Sequence, residues 1–390
     1  GSITKLAANV ATLTGALSYD GATTISDGTL VLANNTPTTA SSGFGGAGSL
    51  RIESVDVSFD NAFSYDSANW VLDSTLGGLT IGKAGNSANV SLDSALTIAG
   101  PVTIYGGNVA VDASVDTRAD SSGSVELIGS NGIEIAADIK SNSWVTLDGA
   151  VTLANDVTFT GSTVSFKDTV VGSQALVVTG NAEFDGSVGA GVGTALTSLT
   201  VTGTTALGSH VTTTGAQTYT GATTLTGVSI LTGSDLTLGS VALGSHALIV
   251  SASGTASIAG VISGTGGLTQ IGAGRLNLTG DNTYSGVTFH KKGVSSSVLG
   301  LGHKNALGTG ELRIDSVGHI EALVDLSGAN KVLNDVILFG KSSHLTAVGS
   351  NSLELGGGFT LGGNRTQNTI TNNITGDGVL TLSGTVTGSI

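Results

Sequence analysis

The chain has no cysteine and no methionine, and it has only two prolines in 390 residues. The lack of cysteine removes disulfide staples, thiolate nucleophiles and cysteine metal ligands from consideration. It is compatible with an oxidising exterior without requiring one. Charged residues make up 11% of the chain and aromatics 4%. The surface must therefore be covered by Ser, Thr, Asn and Gly, and the core built from aliphatic side chains in narrow layers. Positive charge is scarce as well: the formal net charge is −14 and the pI is near 4.6. That balance argues against nucleic acid and against docking on anionic lipid, both of which need clustered Lys and Arg. Long hydrophobic runs are missing. ALVVTG and ALIVSA have the length of a core strand, far short of the ~18 residues that span a bilayer, so no membrane insertion is expected. The sequence opens at Gly1 with neither Met nor an apolar leader, which reads as a processed or excised piece.

Glycine, by contrast, is abundant, at 61 residues, while hydrophobic residues still reach 39%. A disordered linker would lack the Val, Leu and Ile that run through every part of this chain. Segments such as TLVLAN, SLRIESVDVSF, WVTLDGAVTLANDVTFTG and RLNLTG alternate apolar with polar residues at period two. Gly, Asn, Asp or Ser separates them every few residues, and stripes at helical spacing are nearly absent. The chain is predicted to be all-β.

One frame recurs three times, as TGALSYDGATT (14–24), TGAQTYTGATT (214–224) and TGDNTYSGVTF (279–289). It places Gly15, Tyr19 and Gly21 in the first copy, Gly215, Tyr219 and Gly221 in the second, and Gly280, Tyr284 and Gly286 in the third. None contains an acid paired with a base. The frame reads as a corner element, with glycines of positive φ turning the chain and the tyrosine lying over the turn with its hydroxyl in water.

Two architectures compete for such a chain: an array of β-sandwich domains, and a right-handed parallel β-helix in which coils stack as a β-solenoid. Sandwich arrays carry linkers at domain intervals, and none is visible. Short units instead return without a break, TALGSH (205–210) as VALGSH (241–246) and ISGTGGLT (262–269) as ITGDGVLT (374–381). A single continuous solenoid over residues 1–390 is expected, with coils of about 20 residues. An aromatic-rich cap or insert is expected over 41–75 and a basic insert over 289–305.

Residues 262–288, ISGTGGLTQIGAGRLNLTGDNTYSGVT, followed by NALGTGELRI (305–314), closely resemble the passenger-associated repeat of bacterial autotransporters. Residues 77–113 and 194–225 resemble the β-strand repeats of large secreted proteins of the filamentous haemagglutinin type. The resemblance covers about half the chain and implies a secreted β-helix at the cell surface. The chain departs from it in showing no outer-membrane barrel and in carrying FHKKGVSSSVLGLGHKN (289–305) after the motif.

Candidate chemistry is sparse. Asp112, Asp116, Arg118 and Asp120 could share a strand face and supply the paired carboxylates of a glycan-cleaving site, as could Glu134 and Asp138 beside Lys140. A solvated turn and a surface ion pair are the plainer readings. The six histidines never fall at metal-ligand spacing and the acidic Ca²⁺ repeat of β-rolls is missing, so neither metal nor cofactor is expected. Phe44, Phe59, Phe63, Tyr65 and Trp70 crowd a short stretch. They suit either a stacking platform for sugar rings or a widened coil, with Phe59, Phe63 and Trp70 the candidate partner contacts. His290, Lys291, Lys292, His303 and Lys304 form a basic patch that could meet the acidic surface of a second copy. Together these readings predict a non-enzymatic structural or adhesive protein, a segment of an extracellular filament or layer. Its expected partner is a second copy joined head to tail, since neither terminus looks capped, with a host or cell-surface glycan as the alternative and a glycan-active enzyme as a further one.

Overall fold

The computed structural model describes residues 1–15, 17, 19, 21–37, 43–291, 297–361 and 368–388. Residues 41 and 42 of the aromatic stretch and residues 292–296 of the basic insert, including Lys292, lie outside the described residues. The chain forms two compact units, Gly1–Leu196 and Thr197–Ile390.

In the first unit, strands of two to eleven residues stack in parallel on three faces. Their alternation sends every second residue inward, and parallel register then places like on like. One inward column runs Leu30, Leu50, Leu79, Val102, Val125, Val145, Val164 and Ala182. The next runs Leu32, Ile52, Ile81, Ile104, Leu127, Leu147, Phe166 and Phe184, and all of these side chains are buried. Burying one such aliphatic side chain contributes roughly 1.5–3 kcal/mol, and repetition along the stack supplies the core that no coil has alone. Over most of the unit, hydrogen bonds between neighbouring coils join residues 18 to 24 apart. One coil is longer: there the bonded residues are 29 apart, and the extra chain carries most of the aromatic stretch. Its rings fill the wider cross-section, with Phe63 packed on Phe59 at 5.7 Å and on Trp70 at 5.4 Å.

The second unit repeats the plan. Val211, Leu231, Val250, Gln270, His290, Ile314, Leu338 and Leu361 form one inward column. Leu199, Gln217, Leu236, Ala256, Leu276, Leu299, Ile320 and Ala347 form another. The repeats TALGSH and VALGSH fall on the same ladder, Thr205 under Thr223 under Val241, which explains their likeness. Among the described residues the only helical element is the 3₁₀ turn Gly328–Asn330. Sandwich sheets are antiparallel, whereas the pairings within each unit are parallel. Each unit is a parallel β-solenoid, all-β as the sequence predicts.

Candidate functional sites

In the second and third copies the tyrosine is built into the interior, which corrects the expectation of a wet hydroxyl there, while Tyr19 is half-buried. Tyr219 and Tyr284 are 0% exposed, and burial pushes both phenols far above their ordinary range. Tyr219 ends the strand Gln217–Tyr219, whereas Tyr19 and Tyr284 lie outside strands. In the first and third copies the hydroxyl reaches across the corner to the threonine that opens the next strand, Tyr19 to Thr23 and Tyr284 to Thr288. In the second copy the hydroxyl donates instead to Gln217 Oε1 at 2.9 Å. The corresponding threonine, Thr223, is then buried with its hydroxyl unpaired, as is Thr205 beneath it.

The glycines also act differently from the expectation. Of the six, only Gly15 has a positive φ, 134°. The last glycine of each frame is required by close stacking. A Cβ on Gly21, Gly221 or Gly286 would collide with the carbonyl of Gly1, Gly203 or Gly266 in the neighbouring coil. Glycine lies on glycine at the corner so that two coils can approach there. The device serves more than one corner: Gly221 leads into the strand Thr223–Leu225, while Gly286 leads into Thr288–Lys291 on another face.

The basic patch is only partly a patch. Lys291 and Lys304 are exposed. His290 is instead an inward residue, 1% exposed, with its Nδ1–H donating to Gln270 Oε1 at 2.9 Å and its Nε2 buried without a partner. That assignment follows because the Gln270 amide nitrogen donates to the carbonyls of Gly274 and Val298. Burial first, and then the charge of His319, lowers the His290 pKa to about 4, so the ring is neutral near pH 7. Period-two counting from Thr288 would have turned His290 inward. The run of basic letters hid it.

Phe59, Phe63 and Trp70 are 4%, 4% and 3% exposed. They present no open ring face, and their packing is that of a widened coil. The candidate acids do not converge on a common point. Arg118 grips Asp116 with Nε at 3.0 Å and Nη2 at 2.7 Å, while Asp120 accepts from the backbone and hydroxyl of Ser122. Those bonds hold both carboxyls below the ordinary aspartate range, the wrong direction for a general acid. Asp112 and Glu134 point outward. Asp138 pairs with Lys140 at 3.3 Å and accepts from the Thr158 N–H at 2.9 Å. Among the described residues no group of three or more His, Asp or Glu could hold a metal ion.

Against known protein families, residues 3–32 and 268–289 match the passenger-associated-transport-repeat. No curated protein and no solved structure matches the chain. The matched segments contain Tyr19 and Tyr284, whose hydroxyls meet Thr23 and Thr288, and exclude Tyr219, whose hydroxyl does not reach Thr223. The tyrosine–threonine lock therefore coincides with the matched repeats. A parallel β-solenoid with a passenger-associated-transport-repeat in each of its two units fits the β-helix of an autotransporter passenger.

Proposed function

We propose that this chain is a non-enzymatic, surface-displayed passenger whose work is structural and adhesive. The observation that carries the reading is the coincidence of the matched repeats with the locked corners of a parallel solenoid. The spent carboxylates support it: the acids best placed for catalysis are committed to local partners. Stacked coils display surface side chains at low cost in sequence, because each coil needs only an inward aliphatic column and small residues at its corners. The test is protease treatment of intact producing cells. Loss of the chain without loss of cytoplasmic markers is expected, and a chain protected until the cells are lysed would overturn the reading.

Association of copies belongs to the same proposal. Lys291 and Lys304 are exposed on a chain of net charge −14, so a second copy offers them acidic surface. Light scattering should show a mass above the 38.1 kDa monomer that falls as salt screens the contact. A monomer at low salt and high concentration would refute association by these residues.

A further inference from the structure

We propose that the outer side of the long coil in the first unit binds a single neutral pyranose unit of a glycan. A cleft of about 340 Å³ opens there, bordered by Asn61, Phe63, Ser64, Asp66, Asn69 and Trp70. That is the small end of ligand-pocket volumes, the scale of one sugar ring with its waters. The inference rests on this cleft alone and holds whether or not the passenger reading does.

Its wall is stiff. Phe63 and Trp70 border the cleft while almost wholly buried, and the Trp70 ring is held between Phe44 at 6.3 Å and Phe63 at 5.4 Å. The polar groups are set in advance as well. Asp66 Oδ1 accepts the Ala68 N–H at 3.0 Å and the Ser94 hydroxyl at 3.4 Å, and its Oδ2 accepts the Asn69 amide at 3.3 Å. This turn fixes the carboxylate yet leaves it lone pairs for further donors. The Asn61 amide and the Trp70 indole N–H have no hydrogen-bond partner among the described residues. A rigid apolar wall, a preset acceptor and two uncommitted groups suit a ligand with C–H surface on one side and hydroxyls on the other. The sign of the charge narrows the class. Among the described residues Asp66 is the one charged side chain bordering the cleft and no cation there balances it, so uronic and sialic acids are repelled while neutral sugars are admitted.

The chain has two tryptophans, so Trp144→Phe leaves Trp70 as the only tryptophan, whose emission is excited selectively at the red edge of its absorption. That protein is titrated with the methyl glycosides of glucose, galactose, mannose and N-acetylglucosamine, with methyl glucuronide as the anionic probe. At least one neutral glycoside should change the Trp70 emission saturably, with a Kd on the order of 1 mM, and the glucuronide should bind about tenfold more weakly. Asn61 is exposed, so Asn61→Ala should weaken binding about tenfold with an unchanged thermal melt. No saturable response to any neutral glycoside, equal binding of the glucuronide, or full binding by a folded Asn61→Ala protein would each overturn the proposal.

Discussion

Three copies of one frame have two fates at the level of single atoms, and the difference is measurable. Thr288 accepts or donates to the buried Tyr284 hydroxyl, so Thr288→Val should strand that hydroxyl and cost about 1–3 kcal/mol. Thr223 has the same place in its frame but a buried hydroxyl without a partner. Thr223→Val should therefore leave stability unchanged or raise it by about 1 kcal/mol, because it removes an unmet polar group at constant shape. Urea unfolding of the two variants beside the parent checks the contrast, and equal losses would remove the basis for distinguishing the corners. Gly221→Val tests the stacked glycines. Its φ is not positive, so the expected loss of about 1–3 kcal/mol comes from collision with the Gly203 carbonyl. The repeat itself was legible in the letters, as was the need for glycine at its ends. The reason for the glycine was not, because a one-dimensional frame does not show which residue lies one coil below. The tyrosine was misread on its usual preference for a wet hydroxyl, which a buried partner, Thr288 for Tyr284 and Gln217 for Tyr219, makes unnecessary.

Strands were the easiest level to read, since aliphatic and hydroxyl residues alternate at period two over most of the chain. The inward columns follow directly from that alternation once the pairing is parallel. Polar letters in an inward position break the pattern, and His290 is the instructive case. It occupies the column between Gln270 and Ile314, yet composition places it among lysines. Its pKa of about 4 in the folded chain lies below the ordinary value of 6.5. The unfolded chain therefore takes up a proton near pH 6.5 and the folded one only near pH 4. Stability is complete above pH 6.5 and falls as the pH drops through that window, by about 3 kcal/mol in all. Urea midpoints of the parent and His290→Gln across pH 7 to 4 check this: the histidine-dependent part of the slope should vanish in the variant. A parent whose stability rises on acidification relative to His290→Gln would show that the ring is charged in the fold. The aromatic stretch was legible as a departure from the coil rhythm, but not as interior. Five aromatics in a chain with few suggested a surface platform as readily as a widened coil, and only the longer spacing between bonded coils separates the two.

At the scale of the whole molecule, function rests on what the stacking does with chemistry-bearing residues. Acids that share a strand face in the sequence are separated in space or tied to neighbours, as Asp116 is to Arg118. A solenoid spreads its outward residues along a stack, so sites arise where a coil bulges rather than where acids cluster in the letters. That is why the cleft beside Trp70 was not foreseen from Asn61, Asp66 and Asn69. The parallel in-register stack is the claim on which the corners, the buried histidine and the cleft all depend. It can be tested without a crystal, because the chain has no cysteine of its own to block labelling. Thr237 and Ser257 face outward on neighbouring coils and are register partners, so their backbones should lie about 4.8 Å apart. Nitroxides on cysteines introduced at both positions should give a continuous-wave spectrum heavily broadened relative to the sum of the two single labels. A doubly labelled spectrum that equals that sum, in a protein that retains its β circular dichroism, would contradict the parallel solenoid.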